Sequence, residues 1–284
     1  MRKINLKILL AALVAIASLA VGVGCGSSDD STSGSSTGGG DTADFNLIKP
    51  GTLVVGSDIP YPPFEDGRNG DYTGFDIDLV GDIAEKLGLT VEVQDTNFTT
   101  IFRDLSQGKF DLVASASTIT PERQKTVDFS DPYYEAQQAI LVAEGSDIKT
   151  ADDLNGKTVG AQDGTTGEAY VTDKLDAKAV RPYPEAADAI NALRNGQIEA
   201  AVIDQPVAQD AVDKGAGSGL VVAGEISTDE LYGLAIAKDN TKLLDAVNGA
   251  LQDLKDDGTL NDLYQQYFKI DAPDSVINGT TESK

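Results

Sequence analysis

The sequence predicts an α/β fold built from two successive units, and two observations indicate this class. Short apolar strands alternate with amphipathic helical patterns from Thr52 to Ala114, an alternation typical of parallel sheets with crossover helices. The same alternation restarts after Tyr134 and continues to Phe268. A chain of 284 residues can hold one large domain or two of ordinary size, so the restart favours a second α/β unit.

Five elements are predicted in the first unit. The helix over 75–87 is the clearest, because apolar residues recur at helical spacing along one face and Gly88 ends the pattern. The other elements are strands over 52–57, 90–93 and 112–114 and a helix over 98–107.

The second unit repeats this arrangement further along the chain. Its predicted strands cover 139–143, 158–161, 180–181 and 200–203, with helices from about Thr166 and over 185–195. A last strand over 232–237 is followed by helices over 242–255 and 260–268. Residues 271–284 are predicted to be a flexible tail.

The N-terminal 24 residues have the layout of a secretory signal. Three basic residues precede an apolar run over 8–21, which is too short for a comfortable membrane span. Val23 and Gly24 precede Cys25, the only cysteine, and this arrangement resembles a bacterial lipobox in which the cysteine is lipidated. Gly22 stands where that motif usually has leucine, so an ordinary signal peptide with an isolated cysteine is the alternative.

Residues 25–47 are predicted to form a disordered tether. Most of this segment, 26–44, is glycine, serine, threonine and aspartate apart from Ala43, a composition that cannot bury enough apolar surface to fold. Together with lipidation of Cys25, such a tether would hold a folded body close to the cell membrane, at the surface or in the periplasm.

Composition excludes several function classes. A net charge of −24 disfavours nucleic acid as a partner. The absence of histidine removes the commonest metal ligand and the usual general base, so no metal, cofactor or catalytic residue is predicted. With one cysteine there is no internal disulfide, and stability has to come from packing.

The stretch over 111–134 contains the strongest candidate site. A short strand leads into a run of small hydroxyl residues at the end of a strand, where open α/β sheets bind ligands. Pro121 suits the first position of a helical turn capped by Thr120, which directs Arg123 back towards the hydroxyls. A guanidinium beside free amides is a receptor for a carboxylate. The alternative is a surface arginine on a polar loop.

Several ordered motifs together carry a family resemblance. They are Gly74-Phe75-Asp76-Ile77-Asp78-Leu79, Phe110-Asp111-Leu112, Ile119-Thr120-Pro121-Glu122-Arg123, Asp128-Phe129-Ser130-Asp131-Pro132-Tyr133-Tyr134 and Gly164-Thr165-Thr166-Gly167. With these motifs the chain resembles the family 3 extracellular solute-binding proteins, the polar amino-acid receptors of bacterial ABC importers. The resemblance runs from about Gly51 to Phe268.

This resemblance implies an α/β clamshell with two lobes, in the manner of periplasmic binding proteins, joined by two crossover hinge strands. Lobe 1 would comprise 48–138 plus 234–270, and lobe 2 would comprise 139–233. It also implies an extracytoplasmic, monomeric protein whose partners are an amino acid and an ABC permease of the membrane.

The resemblance further implies roles for single residues. Arg123 and the amide of Thr118 would bind the ligand's carboxylate, and Asp204 would bind the α-ammonium with the Thr118 hydroxyl and the Ala116 carbonyl. Asp204 also suits a helix cap, and capping is the other interpretation of Thr165 and Thr166. The complete candidate set is Asp58, Tyr61, Phe98, Ser115, Ala116, Ser117, Thr118, Arg123, Gln162, Thr165, Thr166 and Asp204.

The side-chain end of the ligand is assigned to other members of the set. Tyr61 and Phe98 match an aromatic pair that brackets the ligand in relatives, although aromatic residues more often pack in cores. Asp58 favours arginine, lysine or ornithine, but glutamine receptors of the family also carry Asp there. Gln162 and Ser117 are predicted to line the pocket.

Two alternatives remain open at this stage. The same fold resembles periplasmic cyclohexadienyl dehydratases, for which Glu168 or Glu185 would be the candidate general acid. The intact pair of Arg123 and Asp204 favours binding without turnover. A sensor module that reports amino acids to a membrane kinase or receptor is the second alternative.

Overall fold

The fold is that of a computed structural model, which describes residues 45–215 and 219–279. All of them belong to one compact unit. The predicted signal peptide, Cys25 and the low-complexity part of the tether lie outside the described residues. Over the two described ranges, no helix is long and apolar enough to cross a bilayer.

The described residues form β-strands that fall into two five-stranded sheets and one small hairpin. In chain order the strands are β1 (Thr52–Ser57), β2 (Asp66–Arg68), β3 (Asp71–Thr73), β4 (Thr90–Asp95), β5 (Leu112–Val113), β6 (Val127–Phe129), β7 (Tyr134–Ala143), β8 (Thr158–Gln162), β9 (Ala179–Tyr183), β10 (Ala200–Asp204), β11 (Leu220–Tyr232) and β12 (Ala235–Ala237).

Helices cover the sheets, and all but the last of them lie at or near positions where the sequence indicates a helix. They are α1 (Phe75–Lys86), α2 (Phe98–Ser106), α3 (Thr166–Lys174), α4 (Ala186–Arg194), α5 (Gln205–Lys214), α6 (Thr241–Asp256), α7 (Thr259–Tyr267) and α8 (Asp274–Ile277). Two short 3-10 helices cover Arg123–Lys125 and Ala151–Leu154.

Each large sheet forms the centre of one lobe. The first sheet has the order β4-β1-β5-β12-β6, in which β4, β1 and β5 are parallel and β12 is antiparallel to both neighbours. The second has the order β11-β7-β10-β8-β9, in which β9, β8 and β10 are parallel. This two-lobed α/β architecture confirms the predicted fold class.

Two long strands, β7 and β11, run between the lobes. They pair antiparallel with each other from Tyr134 opposite Tyr232 to Ala143 opposite Leu220, with register shifts on the way. The predicted lobe boundaries, after 138 and after 233, fall inside β7 and directly after β11.

An aromatic cluster anchors the crossing strands to the first lobe. Phe64 is fully buried, and its ring lies 5.0 Å from that of Tyr134, 5.5 Å from that of Tyr232 and 5.4 Å from that of Phe268. Such edge-to-face and tilted pairs stabilise a core beyond the area they bury. The cluster fixes where β7 and β11 leave the first lobe.

Three predicted boundaries are wrong. The tether does not extend to residue 47, because Phe45 is buried in the main core and its carbonyl accepts a hydrogen bond from Asn240. The tail is not flexible from 271 to 279, because α8 forms there and Val276 is fully buried. The single strand over 232–237 is divided into the end of β11 and the separate strand β12.

Candidate functional site

A small cavity, with a volume of about 10 Å³, lies between the two lobes. The strands β1, β5, β8 and β10 end at it, as expected for ligand sites at the carboxyl ends of strands in open α/β sheets. Its lining residues are Asp58, Tyr61, Glu65, Phe98, Ser115, Ala116, Thr118, Arg123, Gln162, Thr165, Thr166 and Asp204. The structure therefore brings together every predicted site residue except Ser117 and adds Glu65.

The loop after β5 forms one wall of the cavity. Ala116 has a left-handed backbone with φ of 42°, and its amide donates to Asp76 at 2.8 Å. This contact offsets the cost of a conformation that residues with a side chain rarely adopt. Ser117 is fully buried and its hydroxyl donates to the Ser115 carbonyl at 3.1 Å, so it lies behind the wall.

The Arg123 guanidinium lies at the boundary between the lobes. The predicted turn forms, since the Thr120 hydroxyl accepts from the Arg123 amide at 3.1 Å. The guanidinium donates to the carbonyl of Thr118 at 2.8 Å and to that of Gly164 at 3.2 Å. Burial lowers the pKa of Arg123 to about 10, which still leaves it charged at neutral pH.

Two aromatic rings flank the Arg123 guanidinium. Its central carbon lies 5.1 Å from the Phe98 ring centre and 4.9 Å from the Phe102 ring centre. A guanidinium between ring faces gains cation–π attraction and loses freedom to reorient. Phe98, predicted to bracket a ligand side chain, is therefore placed to orient the arginine as well.

Asp204 is the buried carboxylate at the end of β10. It accepts from the Tyr61 hydroxyl at 2.5 Å and from the Gln138 amide. Although it occupies the N-cap position of α5, its side chain makes no capping bond, so its predicted capping contact is absent. Burial raises the pKa of Asp204 to about 6, and the nearby charge of Glu230 acts in the same direction.

Asp58 is a second buried carboxylate, directly after β1. The Gln162 amide donates to it at 2.6 Å across the cleft. Burial raises the pKa of Asp58 to about 6, against the opposing effect of that hydrogen bond, and Glu185 and Asp95 raise it further. A cationic group in the cavity would therefore find a carboxylate that lacks a positive partner among the described residues.

The N-terminus of α3 forms the opposite wall. The Thr165 hydroxyl accepts from the Glu168 amide at 3.2 Å, which is the predicted cap. The first amides of a helix have no partners within the helix and favour an anion. Across the two described ranges, no group of His, Cys, Asp or Glu is arranged to hold a metal ion.

Comparison with known proteins agrees with this architecture. Residues 53–270 match the family described as bacterial extracellular solute-binding proteins, family 3. The chain belongs to this family. The L-cystine-binding protein TcyJ of Escherichia coli K12 is 37% identical over 232 residues, which cover 80% of this chain and 87% of the relative.

The solved structures similar to this solute-binding protein include two ancestral proteins. An ancestral arginine-binding protein bound to glutamine is 42% identical, with a TM-score of 0.75, and the match covers 78% of this chain and 99% of the other. The ancestral amino acid-binding protein AncCDT-1, a precursor of cyclohexadienyl dehydratase, is 41% identical with a TM-score of 0.71 and coverage of 78% and 97%.

Several buried polar residues of this family 3 protein escaped the sequence analysis. Glu65 is fully buried and accepts from the Ser115 hydroxyl at 2.9 Å, and burial next to Asp76 holds its pKa well above the usual range. Glu230 and Gln138, on the two crossing strands, contact the site from behind. Charged and amide side chains in loops and strands normally face water, so nothing in the local sequence indicates that these residues are buried.

Proposed function

We propose that this protein captures a basic amino acid, arginine, lysine or ornithine, and delivers it to an ABC importer. The observation that carries the proposal is the charge of the cavity. Asp58 and Asp204 face it with raised pKa values of about 6, so both are largely ionised at neutral pH, whereas Arg123 is the cation among its lining residues.

A basic amino acid would pair every one of these charges. Its carboxylate fits Arg123 and the amides of Thr118 and α3, and its ammonium fits Asp204. Its cationic side chain then fits Asp58. Buried charges are tolerated when they are paired, and an unpaired buried charge costs several kcal/mol in order of magnitude. A neutral ligand would leave Asp58 with uncharged donors alone, the side-chain amide of Gln162 and the backbone amide of Phe98.

The two lobes would have to part for a ligand to enter, because the cavity between them is small. Three hydrogen bonds already join the lobes at the cavity, from Tyr61 to Asp204, from Gln162 to Asp58 and from Arg123 to Gly164. The same side chains are those assigned to the ligand. Binding would therefore exchange contacts between the lobes for contacts through the ligand, at little cost in unsatisfied polar groups.

The cellular setting follows from the family and the N-terminal sequence. Membership of the solute-binding family supports an extracytoplasmic, monomeric receptor that presents its ligand to a permease. Lipidation of Cys25, which lies outside the described residues, would anchor it to the membrane. We assign binding without turnover, because both halves of the amino-acid clamp, Arg123 and Asp204, face the cavity.

Calorimetric titration against the twenty amino acids, ornithine and cystine tests the proposal. Ligand that co-purifies is first removed by unfolding and refolding. We expect tight binding of arginine, lysine or ornithine. If glutamine or cystine binds most tightly, the assignment of Arg123 and Asp204 to the amino-acid backbone stands, but the proposed selectivity for basic side chains is wrong. If the folded protein binds none of these ligands and converts prephenate or arogenate to an aromatic product, it is an enzyme instead.

The variant Asp58→Asn isolates the selectivity from the clamp. It keeps the shape of the side chain and removes its charge. We expect cationic ligands to lose far more affinity than glutamine does. Equal losses for both classes would remove Asp58 as the residue that selects the side chain.

A further inference from the structure

Glu230 is a buried carboxylate on a strand that joins the lobes. It lies near the end of β11, immediately after a register shift between Ile226 and Glu230, and the preceding Asp229 has a left-handed φ of 49°. Only 7% of Glu230 is exposed. The local irregularity therefore turns an acidic side chain inward, behind the cavity.

One oxygen of Glu230 contacts both lobes. Its Oε2 accepts from the Thr118 hydroxyl of the first lobe at 2.6 Å and from the Thr166 hydroxyl of the second lobe at 2.6 Å. Both threonines line the cavity. The Gln138 amide, on the other crossing strand, donates to Oε1 of Glu230 at 3.3 Å and also to Asp204.

These contacts fix the polarity of two hydroxyls that face the cavity. A threonine hydroxyl has one proton to donate and two lone pairs that accept. In both Thr118 and Thr166 that proton is directed at Glu230. The Thr166 hydroxyl also has the Gln138 amide nitrogen as a donor at 3.4 Å. Each hydroxyl keeps at least one lone pair that can accept from a cation, and neither can donate to an anion without breaking its bond to Glu230.

Gln138 keeps the two acidic groups together in spite of their like charge. Its amide nitrogen lies within hydrogen-bond distance of Asp204, of Glu230 and of the Thr166 hydroxyl, so its two N–H groups are shared among three acceptors. The result is a continuous hydrogen-bonded chain from the first lobe through both crossing strands to the second lobe. One atom of this network is not satisfied, because the side-chain oxygen of Gln138 is buried without a hydrogen-bond partner among the described residues.

We propose that Glu230 is a positioning residue that turns the hydroxyls of Thr118 and Thr166 into acceptors, and thereby makes the site selective for ligands with a free α-ammonium group. This inference rests on the proposed amino-acid site. Asp204 lines the cavity and would bind the ammonium directly, whereas Glu230 does not line the cavity and would act through the two threonine hydroxyls.

The test compares two probes on the purified full chain. One is arginine, and the other is 5-guanidinopentanoate, which lacks only the α-amino group. The wild type should strongly prefer arginine. In Glu230→Met this preference should fall by about tenfold to 100-fold, the range for one hydrogen bond to a charged group. Glu230→Gln, whose carbonyl still accepts from the hydroxyls, should restore part of the preference.

A matched control comes from the same strand. Glu225 is exposed on β11, and Glu225→Met makes the same chemical change away from the cavity. It should leave the preference at the wild-type value. Should Glu230→Met fail to fold, Thr166→Val removes one of the two hydroxyls at constant shape and should lower the preference in the same direction.

The outcomes separate this inference from the proposed function. A folded Glu230→Met that binds arginine with an unchanged preference over 5-guanidinopentanoate overturns the inference and leaves the function intact. If the wild type binds glutamine instead of arginine, the same comparison is made between glutamine and glutaramate, its deaminated analogue. If the wild type binds no amino acid, both proposals fall together.

Discussion

Acidification should weaken the binding of arginine to this protein. The reason lies in Asp58 and Asp204, whose burial raises the pKa of each carboxyl to about 6. In the complex the cationic groups of the ligand hold both carboxyls ionised. Below pH 6 the ligand must therefore displace protons from both before it binds, and its affinity falls with pH.

The size of the effect follows from these two values. At about pH 5, one unit below a pKa of about 6, each carboxyl is about 90% protonated, so each weakens binding about tenfold. The two together predict a loss of about 100-fold, or about 2.7 kcal/mol, relative to about pH 7.5. Glu230 beside Asp204, and Glu185 beside Asp58, already contribute to these pKa values.

Titration calorimetry with arginine at the two pH values, at equal ionic strength, measures this loss. Asp58→Asn removes one of the two titrating groups, so about a tenfold loss should remain. Asp163 is exposed next to Gln162, and Asp163→Asn should behave as the wild type. An affinity that stays within about threefold over this range, or an unchanged slope in Asp58→Asn, would refute the reasoning.

Three further predictions concern the same residues. Arg123→Ala should weaken arginine binding by about 2–5 kcal/mol in calorimetry, which is the range for truncating one partner of a buried charged pair. An affinity within twofold of wild type would exclude Arg123 from the site. Phe102→Leu keeps an apolar side chain but removes a ring face from Arg123, so affinity should fall by about 0.5–2 kcal/mol. A change in melting temperature without a change in affinity would contradict this role. The ligand-free protein should melt at a lower temperature as pH rises from about 5 to about 8. The reason is that Asp58, Asp76 and Asp204 have raised pKa values of about 6, 7 and 6 in the folded protein, so they lose the protons that stabilise it in this range. Calorimetric melting that shows the opposite trend would disprove this prediction.

Elements with a clear local period were predictable. The helix α1 starts at Phe75, as predicted, and ends within one residue of its predicted end, and the turn capped by Thr120 also forms. In both cases the information lies in residues a few positions apart, which are neighbours in space once the backbone adopts its local conformation. Shorter elements such as β2 and β3 were missed, because three-residue strands show too little periodicity.

The ends of the folded body show why boundaries are harder. Val276 lies in a polar stretch, yet it is fully buried and α8 forms around it. Whether a single apolar residue packs depends on a groove made by distant parts of the chain. The same holds for Phe45, whose burial in the core could not be predicted because it follows a long polar, low-complexity segment.

The sequence by itself determined the α/β class, the order of most elements and a site at the strand ends, because periodicity, capping residues and ordered motifs are local properties. Tertiary structure alone decided how the buried polar groups pair with one another. Tyr61 reaches Asp204 across 143 positions of chain, and Glu230 reaches Thr118 across 112. Such partners are brought together only when the two lobes and their crossing strands pack, and so no local pattern encodes them.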